Sequence, residues 1–235
     1  MRPTAKTAAF LHAVEAALLP LADARRATDM SAYMRGRFAY LGIQTPARRA
    51  AVKDSMRNFA PASANELRQA IDALWQRNER EYQYVAVDLL ARNPSVLGLD
   101  DLPWLLDLAQ KKSWWDTVDF LAKAAGHVVR RSGVKGKQAM SAAVRHENFW
   151  VRRIAMLHQL GWRQDTDTRR LFAYAELLAP ETEFFIRKAI GWALRDYAWH
   201  DAAAIEQFLE SRPGMFSGLT VREASKNFAK LKRGR

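Results

Sequence analysis

Ser113-Trp114-Trp115-Asp116-Thr117-Val118-Asp119 is the stretch on which the fold turns. It begins with a polar residue followed by aromatics. The same beginning returns as Asn148-Phe149-Trp150-Val151 and Glu183-Phe184-Phe185-Ile186, with an earlier form at Glu81-Tyr82-Gln83-Tyr84. Matching Trp115, Phe149 and Phe184 gives intervals of 34 and 35 residues, each long enough for two helices and their turns.

Two helices per interval is the size of a HEAT-like unit. Such units stack into a curved α-solenoid with a concave face. The remaining sequence agrees with an all-α chain. Ala, Leu and Arg dominate, apolar residues recur at helical spacing, and strand-like alternation is missing. Helices are expected at about 5–19, 29–39, 46–58, 64–77, 79–92, 99–111, 114–130, 136–146, 148–160, 167–178, 182–199, 201–210 and 218–232. Gly42 is expected to end one helix, with Thr45 as N-cap and Pro46 at the first position of the next. Further breaks are expected at Asn93-Pro94, at Gly126 or Ser132-Gly133, and at Gly161, Pro180 and Pro213-Gly214. With no long linker, residues 1–235 read as one domain with a short basic tail at about 230–235.

The repeat register makes a sharper statement. Four residues after Trp115, Phe149 and Phe184 stand Asp119, Arg153 and Lys188. Stacked repeats would line these three up on one face, and Trp192 follows one turn beyond Lys188. Two readings stand at this point. These are either surface charges flanking core aromatics, or a face built from one carboxylate, two cations and two indoles.

Composition narrows the partner. Lys and Arg total 37 against 25 Asp and Glu, a net charge of +12 that attracts polyanions. Nucleic acid is the leading candidate, because no polybasic block adjoins an apolar segment as a membrane anchor would. No stretch approaches a membrane span, and Met1 to Ala9 does not read as a signal peptide. With no cysteine, thiolate metal sites, disulfides and cysteine nucleophiles are excluded. HExxH, P-loop and GxGxxG motifs do not occur, and the five histidines (12, 127, 146, 158 and 200) show no ligand spacing. These absences make metal-dependent and nucleotide-dependent chemistries fit less well.

Arg and Lys on a helical face suit duplex phosphates, by shape and backbone rather than sequence reading. A carboxylate on such a face repels phosphate, and chemistry at a sugar would give it a purpose. Cleaving an N-glycosidic bond develops oxocarbenium charge, which a fixed carboxylate stabilises. The faces of Trp115 and Trp192 attract cations. A departing base that is already cationic, such as an N3- or N7-alkylated purine, needs no general acid.

At these residues the sequence resembles the AlkD-type alkylpurine DNA glycosylases. The blocks are Tyr33-Met34 with Leu41-Gly42-Ile43-Gln44-Thr45-Pro46, then Arg80-Glu81-Tyr82-Gln83, the 113–119 stretch, Trp150-Val151-Arg152-Arg153, and the run from Glu183 to Arg195. The resemblance spans about residues 28–198, in the family's order. It implies a HEAT-like solenoid holding duplex DNA and releasing N3- and N7-alkylated purines without a cofactor or base flipping. It implies Asp119 as the catalytic carboxylate, with Trp115 and Trp192 against the lesion's deoxyribose and Arg153 at the nearby backbone. Lys188 is carried as a phosphate contact, and Arg195, Tyr33 and Gln44 as further DNA contacts. A monomer acting in the cytoplasm is expected. The alternative is a non-catalytic HEAT-like nucleic-acid-binding module.

Overall fold

The computed structural model describes residues 4–228, so the basic tail at about 230–235 lies outside the described residues. The described chain is all-α. An isolated bridge between Ala39 and Glu79 is its one extended pairing. Where the sequence reads as one domain, the contacts group into two compact units, divided after Gly98.

The first unit holds α1 (Ala5–Leu18), α2 (Ala24–Tyr33), α3 (Thr45–Ala51), α4 (Lys53–Asn58), α5 (Ala64–Gln76) and α6 (Arg80–Arg92). Thr4, Asp23 and Ser63 cap α1, α2 and α5 by accepting backbone N–H groups that the first turn leaves unpaired. Three expectations fail here. The helix expected at 29–39 instead starts after the Asp23 cap and stops at Tyr33, because Arg35 (φ 59°) and Gly36 (φ 67°) turn the chain. Gly42 therefore ends no helix, and the N-cap of α3 is Gln44, not Thr45.

Gly42 has another duty. Its φ is +89°, and a Cβ there would stand 2.1 Å from the Asp23 carbonyl oxygen. The buried Glu81 carboxylate accepts the N–H groups of Leu41 (3.0 Å), Gly42 (2.9 Å) and Ile43 (3.0 Å). Gln83 donates to the carbonyls of Leu74, Trp75 and Arg77 at the end of α5. Arg80 is fully buried over the Phe38 ring. The blocks at 41–46 and 80–83 are thus one anchoring device for the segment that carries Gln44.

The second unit opens with a 3-10 turn, Leu99–Asp101, and α7 (Leu102–Leu108). It continues with α8 (Trp115–Ala143), α9 (Phe149–Leu157), α10 (Thr168–Leu178), α11 (Phe184–Ala198), α12 (Ala202–Glu210) and α13 (Gly218–Ser225). The expected break near 130 is a kink inside α8 at Gly133 (φ 54°, ψ −127°). Gly126 is no break. It lies within α8, where a Cβ would stand 2.0 Å from the His158 carbonyl oxygen, so its lack of a side chain admits the end of α9.

Successive packing makes this unit solenoid-like: α9 packs on α8, α11 on α9, and α13 on α11. Each helix buries an i, i+3, i+4 stripe. On α8 it is Val118, Leu121, Ala122, Ala125, Val128 and Val129; on α11 it is Ile186, Ala189, Ile190, Ala193 and Leu194. A buried Leu or Ile of this kind contributes about 1.5–3 kcal/mol. At the N-terminal ends, Trp114, Trp150 and Phe185 form an aromatic cluster with centroids 4.9–6.0 Å apart. Arg152 grips Glu181 through Nε (2.6 Å) and Nη2 (2.8 Å), tying the entrance of α9 to that of α11.

Candidate active site

Helical periodicity places Trp115 and Asp119 one turn apart on α8. Their fates differ from that of the neighbouring indole: Trp114 is buried in the aromatic cluster, whereas Trp115 is half-buried. The Asn148 side chain caps α9 by accepting from Trp150 N (2.9 Å), which starts the helix that brings Arg153 opposite Asp119. Arg153 donates Nε to Asp119 Oδ1 at 2.7 Å and Nη2 to Oδ2 at 2.9 Å. Its Nη1 donates to the Phe185 carbonyl at the start of α11.

This fork-on-carboxylate geometry is the strongest form of the pair. Arg153 is only 1% exposed, so its charge is compensated by Asp119 and little solvent. Burial pushes the Asp119 carboxyl above the usual aspartate range, while the Arg153 hydrogen bonds and charge pull it back. All three of the Arg153 guanidinium nitrogens are engaged inside the protein.

The Trp192 ring continues the site on α11. The Arg153 guanidinium and the Lys188 ammonium each stand 5.2 Å from its centroid, and the Arg195 guanidinium stands at 5.9 Å. Cations gather where the indole quadrupole is negative.

Glu223 on α13 was missed by sequence reasoning, and it organises this end. It accepts from Lys188 Nζ (2.7 Å), Trp192 Nε1 (2.9 Å) and Arg195 Nη1 (2.8 Å). The Lys188 bond, foremost, holds its carboxyl below the usual glutamate range. A signal existed: Glu223 lies 35 residues beyond Lys188, the next step of the register that runs 119, 153, 188.

Five expected site residues (Asp119, Arg153, Lys188, Trp192 and Arg195) are therefore linked in one group, with Trp115 a turn from Asp119. Tyr33 (75% exposed) and Gln44 (exposed) belong to the first unit and stand open to solvent. Among the described residues, no three His, Asp or Glu side chains cluster as metal ligands, and no single helix is long and apolar enough to cross a membrane.

The clamped Asp119 carboxylate, the Trp192 indole and the cations around it lie in an all-α unit. The profile of the DNA alkylation repair enzyme family matches residues 14–228, nearly the whole chain. The chain belongs to this family. A solved structure described as a predicted DNA alkylation repair enzyme from Enterococcus faecalis is 33% identical, with a TM-score of 0.79. The match covers 89% of this chain and 97% of that one. Curated protein sequences gave no match.

Proposed function

We propose that this DNA alkylation repair enzyme is a monofunctional DNA glycosylase that hydrolyses the N-glycosidic bond of N3- and N7-alkylated purines in duplex DNA. The observation that carries the reading is the Asp119 carboxylate, held by two bonds from a buried arginine at the edge of an indole-lined, cation-rich face.

In the proposed reaction the C1′–N bond breaks and its electron pair returns to the base. The base enters as a cation and leaves neutral, so it needs no protonation. Positive charge moves to C1′ and the ring oxygen of the deoxyribose. Asp119 stabilises that charge, worth on the order of 3–4 kcal/mol for one well-placed group. The rings of Trp115 and Trp192 flank the sugar and favour the same cation. Water adds at C1′, its proton passes to Asp119 or to solvent, and an abasic site remains.

Arg153 has the role its geometry supports: it aims the carboxylate and opposes the loss of its charge on burial. Lys188 and Arg195, beside the Trp192 ring, are the cations assigned here to backbone phosphates. Tyr33 and Gln44 are the exposed candidates for duplex contact in the first unit. The reading draws on the resemblance for action without base flipping, for a HEAT-like repeat, and for a monomer working in the cytoplasm.

The test is release of 7-methylguanine from alkylated duplex DNA in EDTA, wild type beside Asp119→Asn. Release by wild type alone supports the reading. Binding to DNA without release of 7-methylguanine, N3-methyladenine or a bulky N7 adduct would leave the non-catalytic module.

A further inference from the structure

We propose that Glu223 is a positioning residue of the site: it fixes the Trp192 indole from its edge and holds Lys188 and Arg195 as a charge-paired row beside it. The proposal rests on the glycosylase reading above for its effect on rate, but not for its effect on Trp192 or on DNA binding.

Three observations on different atoms lead there. First, the Trp192 indole has one N–H, and it donates that proton to Glu223 Oε2 at 2.9 Å. An indole so tethered loses rotation about its side-chain bonds, and the face it presents to Arg153 and Lys188 is set. Second, the same carboxylate takes the Lys188 ammonium on Oε1 and the Arg195 guanidinium on Oε2. Two cations that would each meet a phosphate are partly neutralised by one anion. Third, the backbone is built for this approach. A Cβ on Gly191 would stand 2.5 Å from Glu223 Cβ and 2.9 Å from the Thr220 carbonyl oxygen, so only glycine lets α13 lie this close to α11.

The anchoring of α13 serves the same end. Ser217 caps it by accepting from Thr220 N at 3.1 Å. Thr220 Oγ1 then donates to the Arg187 carbonyl on α11, also at 3.1 Å. Glu223 therefore reaches Trp192 from a short helix pinned at its start, rather than from a loop.

Two substitutions separate its two duties. Glu223→Gln keeps an oxygen that can accept the indole proton but gives up the charge. Glu223→Ala gives up both. The Trp192 indole N–H signal, identified in a 15N spectrum by its loss in Trp192→Phe, should move in Glu223→Ala and stay closer to its wild-type position in Glu223→Gln. Single-turnover base release at saturating DNA should fall about tenfold or more in Glu223→Ala, as expected for a misplaced contact, with part of the rate recovered in Glu223→Gln. Both variants should bind unmodified duplex more tightly at low salt, with a salt slope steeper by about one to two for the cations released.

A wholly structural role would lower the melting temperature of both variants without separating them in rate or in the Trp192 signal. An unmoved Trp192 signal in Glu223→Ala, or an unchanged salt slope in both variants, overturns the proposal. Failure of the glycosylase reading looks different: wild type itself releases no base, while the signal and the salt slope still respond to Glu223.

Discussion

Asp119 and Arg153 stand 34 residues apart in sequence and meet through two parallel hydrogen bonds of 2.7 and 2.9 Å, with the arginine almost wholly out of water. Neither partner is replaceable by charge alone. The carboxylate needs a fixed fork to remain ionised where burial disfavours it, and the guanidinium needs a counter-charge to be buried at all.

Asp119→Asn is the first consequence. The amide keeps the shape and removes the charge, so base release should drop by about a hundredfold or more while affinity for unmodified duplex stays within a few-fold. Single-turnover release and fluorescence anisotropy measure the two separately. Wild-type rates in the variant would remove Asp119 from the chemistry.

Arg153→Ala should act on stability as well as on rate. It strands a desolvated carboxylate and the Phe185 carbonyl, a loss of about 3–5 kcal/mol in unfolding free energy. Arg153→Lys should recover only part of this, since one ammonium cannot reproduce the fork. Urea melts decide it. Because the guanidinium is engaged inside the protein, the salt slope of duplex binding should change by less than about one. A larger flattening with little loss of stability would instead identify Arg153 as a phosphate contact.

The pH profile of base release follows from the Asp119 carboxyl, which burial raises above the usual aspartate range. The active form is the carboxylate. Activity should therefore be full at neutral pH and fall on acidification, beginning at a higher pH than an unperturbed aspartate would give. Single-turnover rates, corrected for spontaneous depurination, would show it. A decline that begins no earlier than for an unperturbed aspartate would contradict a carboxyl raised by burial.

His158 gives a pH effect on stability rather than on rate. It is buried against Trp162 and Tyr174, Nδ1 is 2.6 Å from the Ala155 carbonyl, and Nε2 is without a hydrogen-bond partner among the described residues. Burial, foremost, lowers its pKa from 6.5 to about 4, with Arg170 adding to this and Asp167 opposing it. Between those values the unfolded chain binds the proton and the folded one does not. Stability should thus be undiminished above about pH 6.5 and decline as pH falls toward 4, by up to about 3 kcal/mol. Stability from denaturant melts should change more steeply with pH across that window in wild type than in His158→Leu.

Glu81→Ala tests the anchoring of the first unit. It leaves the N–H groups of Leu41, Gly42 and Ile43 without their acceptor, two of them buried. A loss of about 2–4 kcal/mol is expected. Faster hydrogen exchange at residues 41–43 should accompany it, and unchanged protection there would show that the loop is held by other means.

Residues at the 34-residue spacing meet in the structure at one pair. Asp119 and Arg153 occupy equivalent positions, and the structure pairs them. The register also extended one step further than it was followed, to Glu223. The failures have local causes. Met34, Phe38 and Tyr40 mimic helical spacing, yet Arg35 and Gly36 in the left-handed region send the chain out of α2, and Met34 and Tyr40 are buried from the connection that follows. Thr45 and Pro46 announce a helix start correctly to within one residue. Gly126 carries no sign in the sequence that its hydrogen faces a carbonyl of another helix rather than a turn.

The sequence by itself determined an all-α chain, its net charge of +12, and the 34- and 35-residue spacing of Asp119, Arg153 and Lys188. Those properties depend on spacing along a helix and on composition, both of which are local. Only the tertiary structure decided which charges are spent on one another. Arg153 is buried against Asp119, and Lys188 and Arg195 are held by Glu223, because those bonds depend on how closely α9 and α13 approach their neighbours. That approach is set by the absence of a single Cβ at Gly191 and by aromatic packing at the helix ends, across residues about 30 to 70 positions apart.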